Sequence, residues 1–86
     1  MSAARILVAD DHEVVRRGLC AILGSYPGWE ICGEAADGRE AVEKTDQLKP
    51  DIVILDIGMP RLNGLDATRQ ILHNNPQQQV LIFDHH

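Results

Sequence analysis

Three aspartates carry the spacing that matters most in this 86-residue chain. Asp10 and Asp11 follow directly on the apolar residues 6–9, and Asp56 follows on the apolar residues 52–55. An unbroken run of β-branched and aliphatic residues reads as a strand covered on both faces, as in a parallel sheet. A carboxylate at the carboxyl end of such a strand sits where open α/β sheets bind ligands. If the two strands are neighbours, Asp10, Asp11 and Asp56 converge, and their mutual repulsion demands a cation. Oxygen-only donors suit a hard ion such as Mg2+. A carboxylate beside that ion can attack phosphorus and become an acyl phosphate. The protein then has mainly to position and neutralise the group. The same residues also have a plainer reading, in which Asp10 and Asp11 cap a helix and Asp56 ends a strand.

The elements that must position these carboxylates follow from the hydrophobic pattern. The first strand is expected over residues 5–9. A helix over 13–23 would turn Val15, Leu19 and Ile22 inward, keep Arg16 and Arg17 off that face, and take Asp11 as its cap. Gly24, Pro27 and Gly28 stop it. Residues 29–35 form a second strand in which Trp29, Ile31 and Gly33 alternate with Glu30, Cys32 and Glu34, a pattern that belongs at a sheet edge. After the Asp37-Gly38 turn, a helix over 39–48 carries Ala41, Thr45 and Leu48 on one face, with Val42 flanking. The third strand runs to Asp56. A third helix starts at Asn63-Gly64, turns Leu65, Thr68, Ile71 and Leu72 inward, leaves Asp66, Arg69 and Gln70 outward, and ends at Asn74, Asn75 and Pro76. Residues 80–83 form a fourth strand. The βαβαβαβ alternation implies one α/β domain, residues 1–86, with a parallel sheet.

Composition narrows the function classes. The net charge of −5 and the absence of a basic run among eight Lys and Arg residues argue against direct nucleic-acid binding. No apolar span of about 18 residues and no basic-then-apolar leader occur, so no membrane segment is expected and the cytoplasm is the expected compartment. Cys20 and Cys32 have no CxxC spacing and are expected as reduced, packed thiols. Neither GxGxxG nor a P-loop follows either strand, which leaves ordinary nucleotide binding unsupported. His12 is expected as a surface residue at the start of the first helix rather than a ligand. His73 is expected to face solvent, and Asp84-His85-His86 reads as a solvated tail or a junction.

Taken together, the motifs Ile-Leu-Val-Ala-Asp-Asp-His, Pro-Asp-Ile-Val-Ile-Leu-Asp-Ile-Gly-Met-Pro and Asn-Gly-Leu-Asp-Ala resemble the receiver domain of bacterial two-component response regulators. Asp-Asp-His-Glu-Val-Val-Arg-Arg-Gly-Leu is similar to the subfamily with a LuxR-type, DNA-binding output domain. The resemblance implies a flavodoxin-like (CheY-like) fold with strand order 2-1-3-4-5 and helices on both faces, of which this chain holds four strands. It implies that Asp56 accepts a phosphoryl group from a sensor histidine kinase. Mg2+ would be held by Asp11, Asp56 and the backbone carbonyl of Gly58, with Asp10 acting through water. Met59 and Pro60 would shape the loop. The protein would then be a regulatory module and not an enzyme, and any DNA contact would belong to a separate output domain.

Two departures from that family pattern stand out. Asp84 occupies the place of the switch Thr or Ser at the end of strand four, where a carboxylate would repel a phosphoryl group. The lysine that the family places after strand five has no counterpart, so the chain is expected to be a truncated receiver. Its fourth strand would then be an open edge that promotes self-association or exchange of elements between copies. Two other readings stay open: an interaction or dimerisation fragment that is not phosphorylated, and a phosphohydrolase of the haloacid dehalogenase type. Gly58 stands where the latter needs the second acid of Asp-x-Asp.

Overall fold

The computed structural model of the chain describes residues 3–84. Seven elements alternate: β1 (Ala4–Ala9), α1 (Glu13–Gly24), β2 (Trp29–Ala35), α2 (Gly38–Leu48), β3 (Ile52–Asp56), α3 (Gly64–Asn74) and β4 (Gln79–Phe83). The four strands form one sheet in the order β2-β1-β3-β4, and every pair is parallel. This is the order of the first four strands of the flavodoxin-like fold. Element bounds differ from the expected ones by one residue at most.

The apolar runs of β1 and β3 are buried because both strands are central and both faces are covered. With a side-chain period of two, Leu7, Ala9, Val53 and Leu55 face one layer, packed with Ala41 of α2, Ala67 and Ile71 of α3, and Met59. Ile6, Val8 and Ile54 face the other layer, where Leu19, Cys20 and Leu23 of α1 meet Ile31, Ile52 and Phe83. The first layer is the tighter one. Ala41 and Ala67 are fully buried, whereas α1 contains no fully buried residue.

Several expectations require correction. The inner stripe of α1 is Leu19, Cys20 and Leu23, and Ile22 is 60% exposed. Arg16 also lies toward the sheet, because its guanidinium donates to the carbonyl of Asp10 at 2.8 Å and to Glu34 Oε1 at 2.9 Å. Asp11 does not cap α1. His12 is the cap residue, and its side chain makes no capping bond. In α3 the buried set is Gly64, Ala67 and Ile71, while Leu65 and Leu72 are exposed. The physical reason is close approach at the helix start: a Cβ at Gly64 would lie 2.6 Å from the carbonyl oxygen of Asp56, so no side chain fits there. In β2 a bulge between the Ile6–Ile31 and Leu7–Gly33 pairs breaks the alternation. Ile31 and Cys32 pack into opposite layers as the alternation predicts, but Gly33, expected with Ile31, shares the α2 side with Cys32, and its Cβ would meet Leu48.

Local chemistry fixes the other two helix starts. Asp37 accepts from Glu40 N and Glu40 Oε1 accepts from Ala36 N, both at 2.8 Å, a reciprocal brace in the manner of a capping box. Asn63 accepts from Asp66 N at 2.9 Å. At the other end of the sheet, Arg5 ties β1 to the α2–β3 connection. Its backbone N–H donates to Asp51 and its guanidinium to the carbonyls of Leu48 and Lys49.

Candidate functional site

The register of β1 against β3 pairs Ile6 with Ile52 and ends with Ala9 opposite Leu55. The next residue of each strand, Asp10 and Asp56, therefore emerges at the same carboxyl edge. Both are completely buried, and Asp11, one residue on, reaches the surface with its side chain 29% exposed. Ligand atoms of Asp10, Asp11, His12 and Asp56 all lie within 4.8 Å of one another. The three aspartates singled out by spacing thus come together, and a histidine that spacing did not single out joins them.

Neighbouring backbone holds the carboxylates of Asp10 and Asp56 in place. Asp10 is pinned from both sides: its N–H donates to Ala35 O at 3.0 Å, and its carbonyl accepts from Arg16. Its Oδ1 accepts from the backbone N–H of His12 at 2.8 Å. Asp56 Oδ1 accepts from Gly58 N at 3.3 Å, an Asx-type turn that folds the chain back over the end of β3. Ile57 then binds Phe83 O and Gly64 binds Ile57 O, each at 2.9 Å, which locks the Asp56 loop to β4 and to the start of α3.

The loop itself is anchored at several points. Met59 is buried in the larger core, Pro60 is exposed, and the Pro60 carbonyl accepts from Leu62 N at 2.7 Å. Arg61 adopts a left-handed backbone with φ 66°, and its guanidinium lies 3.2 Å from Asp37 Oδ2. A Cβ at Gly38 would fall 1.7 Å from Leu62 O, so glycine is required where α2 meets the loop.

The donor set fits a divalent cation. Two buried carboxylates and a third at the rim supply hard oxygen ligands. Asp84 is exposed just beyond β4 and is not part of the cluster. His73 is exposed as expected, and His85 and His86 lie outside the described residues. His12 is a surface residue at the start of α1, as expected, with Nδ1 beside Asp10 and Asp11; what sequence reasoning missed is the contact of Arg16 with the Asp10 carbonyl. A signal for Arg16 was present: it falls three and seven residues before Leu19 and Leu23, on the stripe that α1 actually buries.

Comparison with known proteins is consistent throughout. The sequence pattern of the response regulator receiver domain matches residues 6–86. The chain is 42% identical over 77 residues to the response regulator GacA of Pseudomonas viridiflava, covering 90% of this chain and 36% of that protein. It is 45% identical over 78 residues to the chemotaxis protein CheY of Thermotoga maritima, covering 91% of this chain and 64% of that one. Among solved structures, a LuxR-family two-component response regulator from Aurantimonas sp. SI85-9A1 superposes with a TM-score of 0.93 at 39% identity, covering 99% of this chain and 61% of the other. The chain thus spans about a third of the full length of GacA.

Proposed function

Because the chain belongs to the response regulator receiver domain family, we propose that it is a phosphoacceptor signalling module in which Asp56 takes a phosphoryl group from a sensor histidine kinase. The observation that carries this reading is the pairing of Asp56 with Asp10 at the carboxyl edge of adjacent strands, with Asp11 at the rim. In the transfer, a carboxylate oxygen of Asp56 forms a bond to phosphorus. The bond from phosphorus to the kinase imidazole nitrogen breaks, and its electron pair stays on that nitrogen, which takes up a proton. Asp11, Asp56 and the carbonyl of Gly58 would hold Mg2+, with Asp10 reaching it through water. A bound Mg2+ would neutralise the carboxylates and the incoming phosphoryl oxygens.

Several finer points belong to the same proposal. The chain acts as a regulatory domain without turnover of its own, in the cytoplasm. Among the described residues no helix is long and apolar enough to cross a membrane. Its output is transcriptional, through a DNA-binding domain of a longer protein, as the similarity to a LuxR-family regulator favours. Copies of the chain self-associate through the outer side of β4, which has no strand neighbour among the described residues.

Incubation with Mg2+ and acetyl phosphate, followed by intact mass, tests the central claim. A phosphoryl adduct should form slowly and be absent in Asp56→Asn. It should form faster in Asp84→Thr, which removes a carboxylate from the end of β4. An adduct of equal yield in Asp56→Asn refutes the assignment. A second reading, an interaction module that keeps the fold without the chemistry, is favoured by Asp84 alone and predicts no adduct in any variant. Steady phosphate release from simple phosphate esters would instead indicate a hydrolase, against which Gly58 counts.

A further inference from the structure

One nitrogen lies among the carboxylates. His12 has an extended backbone at the start of α1, with φ −91° and ψ 105°, yet its ring makes no capping bond to the helix. The ring turns back instead, and Nδ1 lies 3.1 Å from Asp10 Oδ1 and 3.2 Å from Asp11 Oδ1. The side chain is about half exposed, so it is neither locked into the core nor swept away by solvent. Its Nδ1 belongs to the same 4.8 Å cluster as an oxygen of Asp56.

The spacings suit a shared ion. Two donors each about 2.1 Å from one ion and at right angles to each other lie about 3.0 Å apart. The distance from His12 Nδ1 to Asp11 Oδ1 is close to that edge length, and Nδ1 also lies within hydrogen-bond reach of Asp10 Oδ1. An imidazole among carboxylates also changes which ion the set prefers. Mg2+ is a hard ion that favours oxygen and gains little from imidazole, whereas Co2+, Ni2+ and Zn2+ gain substantially. A bystander histidine that merely offset charge would shift the affinity of every divalent ion by a similar factor.

Resting on the reading of this cluster as the divalent-cation site of a receiver, we propose that His12 supplies a nitrogen donor through Nδ1 and biases the site toward borderline transition-metal ions over Mg2+. Asp11, Asp56 and the Gly58 carbonyl provide the oxygen donors, Asp10 acts through water, and His12 tunes selectivity without taking part in phosphoryl transfer.

The test titrates the whole chain with Co2+ alone and with Mg2+ alone, following the Co2+ visible absorption and its displacement by Mg2+. In His12→Ala the affinity for Co2+ should fall at least about tenfold while that for Mg2+ changes less than about twofold. Contact-shifted imidazole proton resonances of the Co2+ protein should vanish in the same variant. An unchanged Co2+ to Mg2+ ratio in a folded His12→Ala, checked by circular dichroism, overturns the role of His12 and leaves the acidic site standing. Failure of the unaltered chain to bind either ion overturns the cation site itself, and with it this inference. Should His12→Ala fail to fold, His12→Gln with the same pair of ions decides the question, since its amide oxygen can replace the contact but not the nitrogen.

Discussion

Burial raises the thiol of Cys20 above its ordinary range, Glu34 raises it further, and Arg16 pulls the other way. Cys32 is also raised, chiefly by burial. The thiolate is the reactive form, so both residues should react with an aromatic disulfide reagent at pH 8 more slowly than free cysteine does. The same shift enters stability. Above the unfolded-state value of about 8.5, the folded chain holds protons that the unfolded chain has released. The stabilisation is therefore complete below that pH and is lost as pH rises through the higher folded value. Urea midpoints should fall on the alkaline side, and Cys20→Ala should flatten that fall. At this scale the sequence disclosed Asp10, Asp11 and Asp56, because each follows a run of apolar residues whose burial could be inferred. It did not disclose that the His12 ring turns back toward Asp10 and Asp11 instead of forward onto the helix, a choice that spacing does not encode.

Among the elements, strands were legible and helix faces less so. An apolar run marks a buried strand whatever packs on it, and all four strands lie within a residue of their expected places. A helix face was inferred from large apolar residues alone. The seam of α3 is made of Gly64, Ala67 and Ile71, because the helix start presses on the carbonyl of Asp56, and Leu65 is left 48% exposed. Likewise the β2 bulge carries no residue signature, so the side of the sheet taken by Gly33 was misjudged. Two substitutions separate capping from contact. Asn63→Ala removes the bond to Asp66 N and should cost about 1 kcal/mol. Gly64→Ala adds a methyl group 2.6 Å from the Asp56 carbonyl oxygen and should cost more, about 1–3 kcal/mol. Urea unfolding of both variants gives the comparison. Gly64→Ala should also slow phosphoryl labelling, since relief of the clash displaces the end of β3, whereas Asn63→Ala should not.

At the scale of the molecule, β4 is the outer strand of the sheet among the described residues, and Leu81 on it is 53% exposed. Sedimentation at micromolar concentration should show reversible self-association of the 86-residue chain, weakened by Leu81→Lys. A concentration-independent monomer would remove that proposal. The two faces of the sheet are also unequal. The α2 and α3 layer contains fully buried side chains from both helices, and α1 covers the opposite face with none. Opening free energies scale with buried contact, so amide protons of α1 should exchange with heavy water long before those of β1 and β3. Asp11 and His12 lead directly into that looser helix, while Asp56 is fully buried at the end of the central strand β3. The site therefore joins a fixed carboxylate to a rim that breathes with α1, and a captured cation should slow exchange along α1 more than anywhere else in the chain.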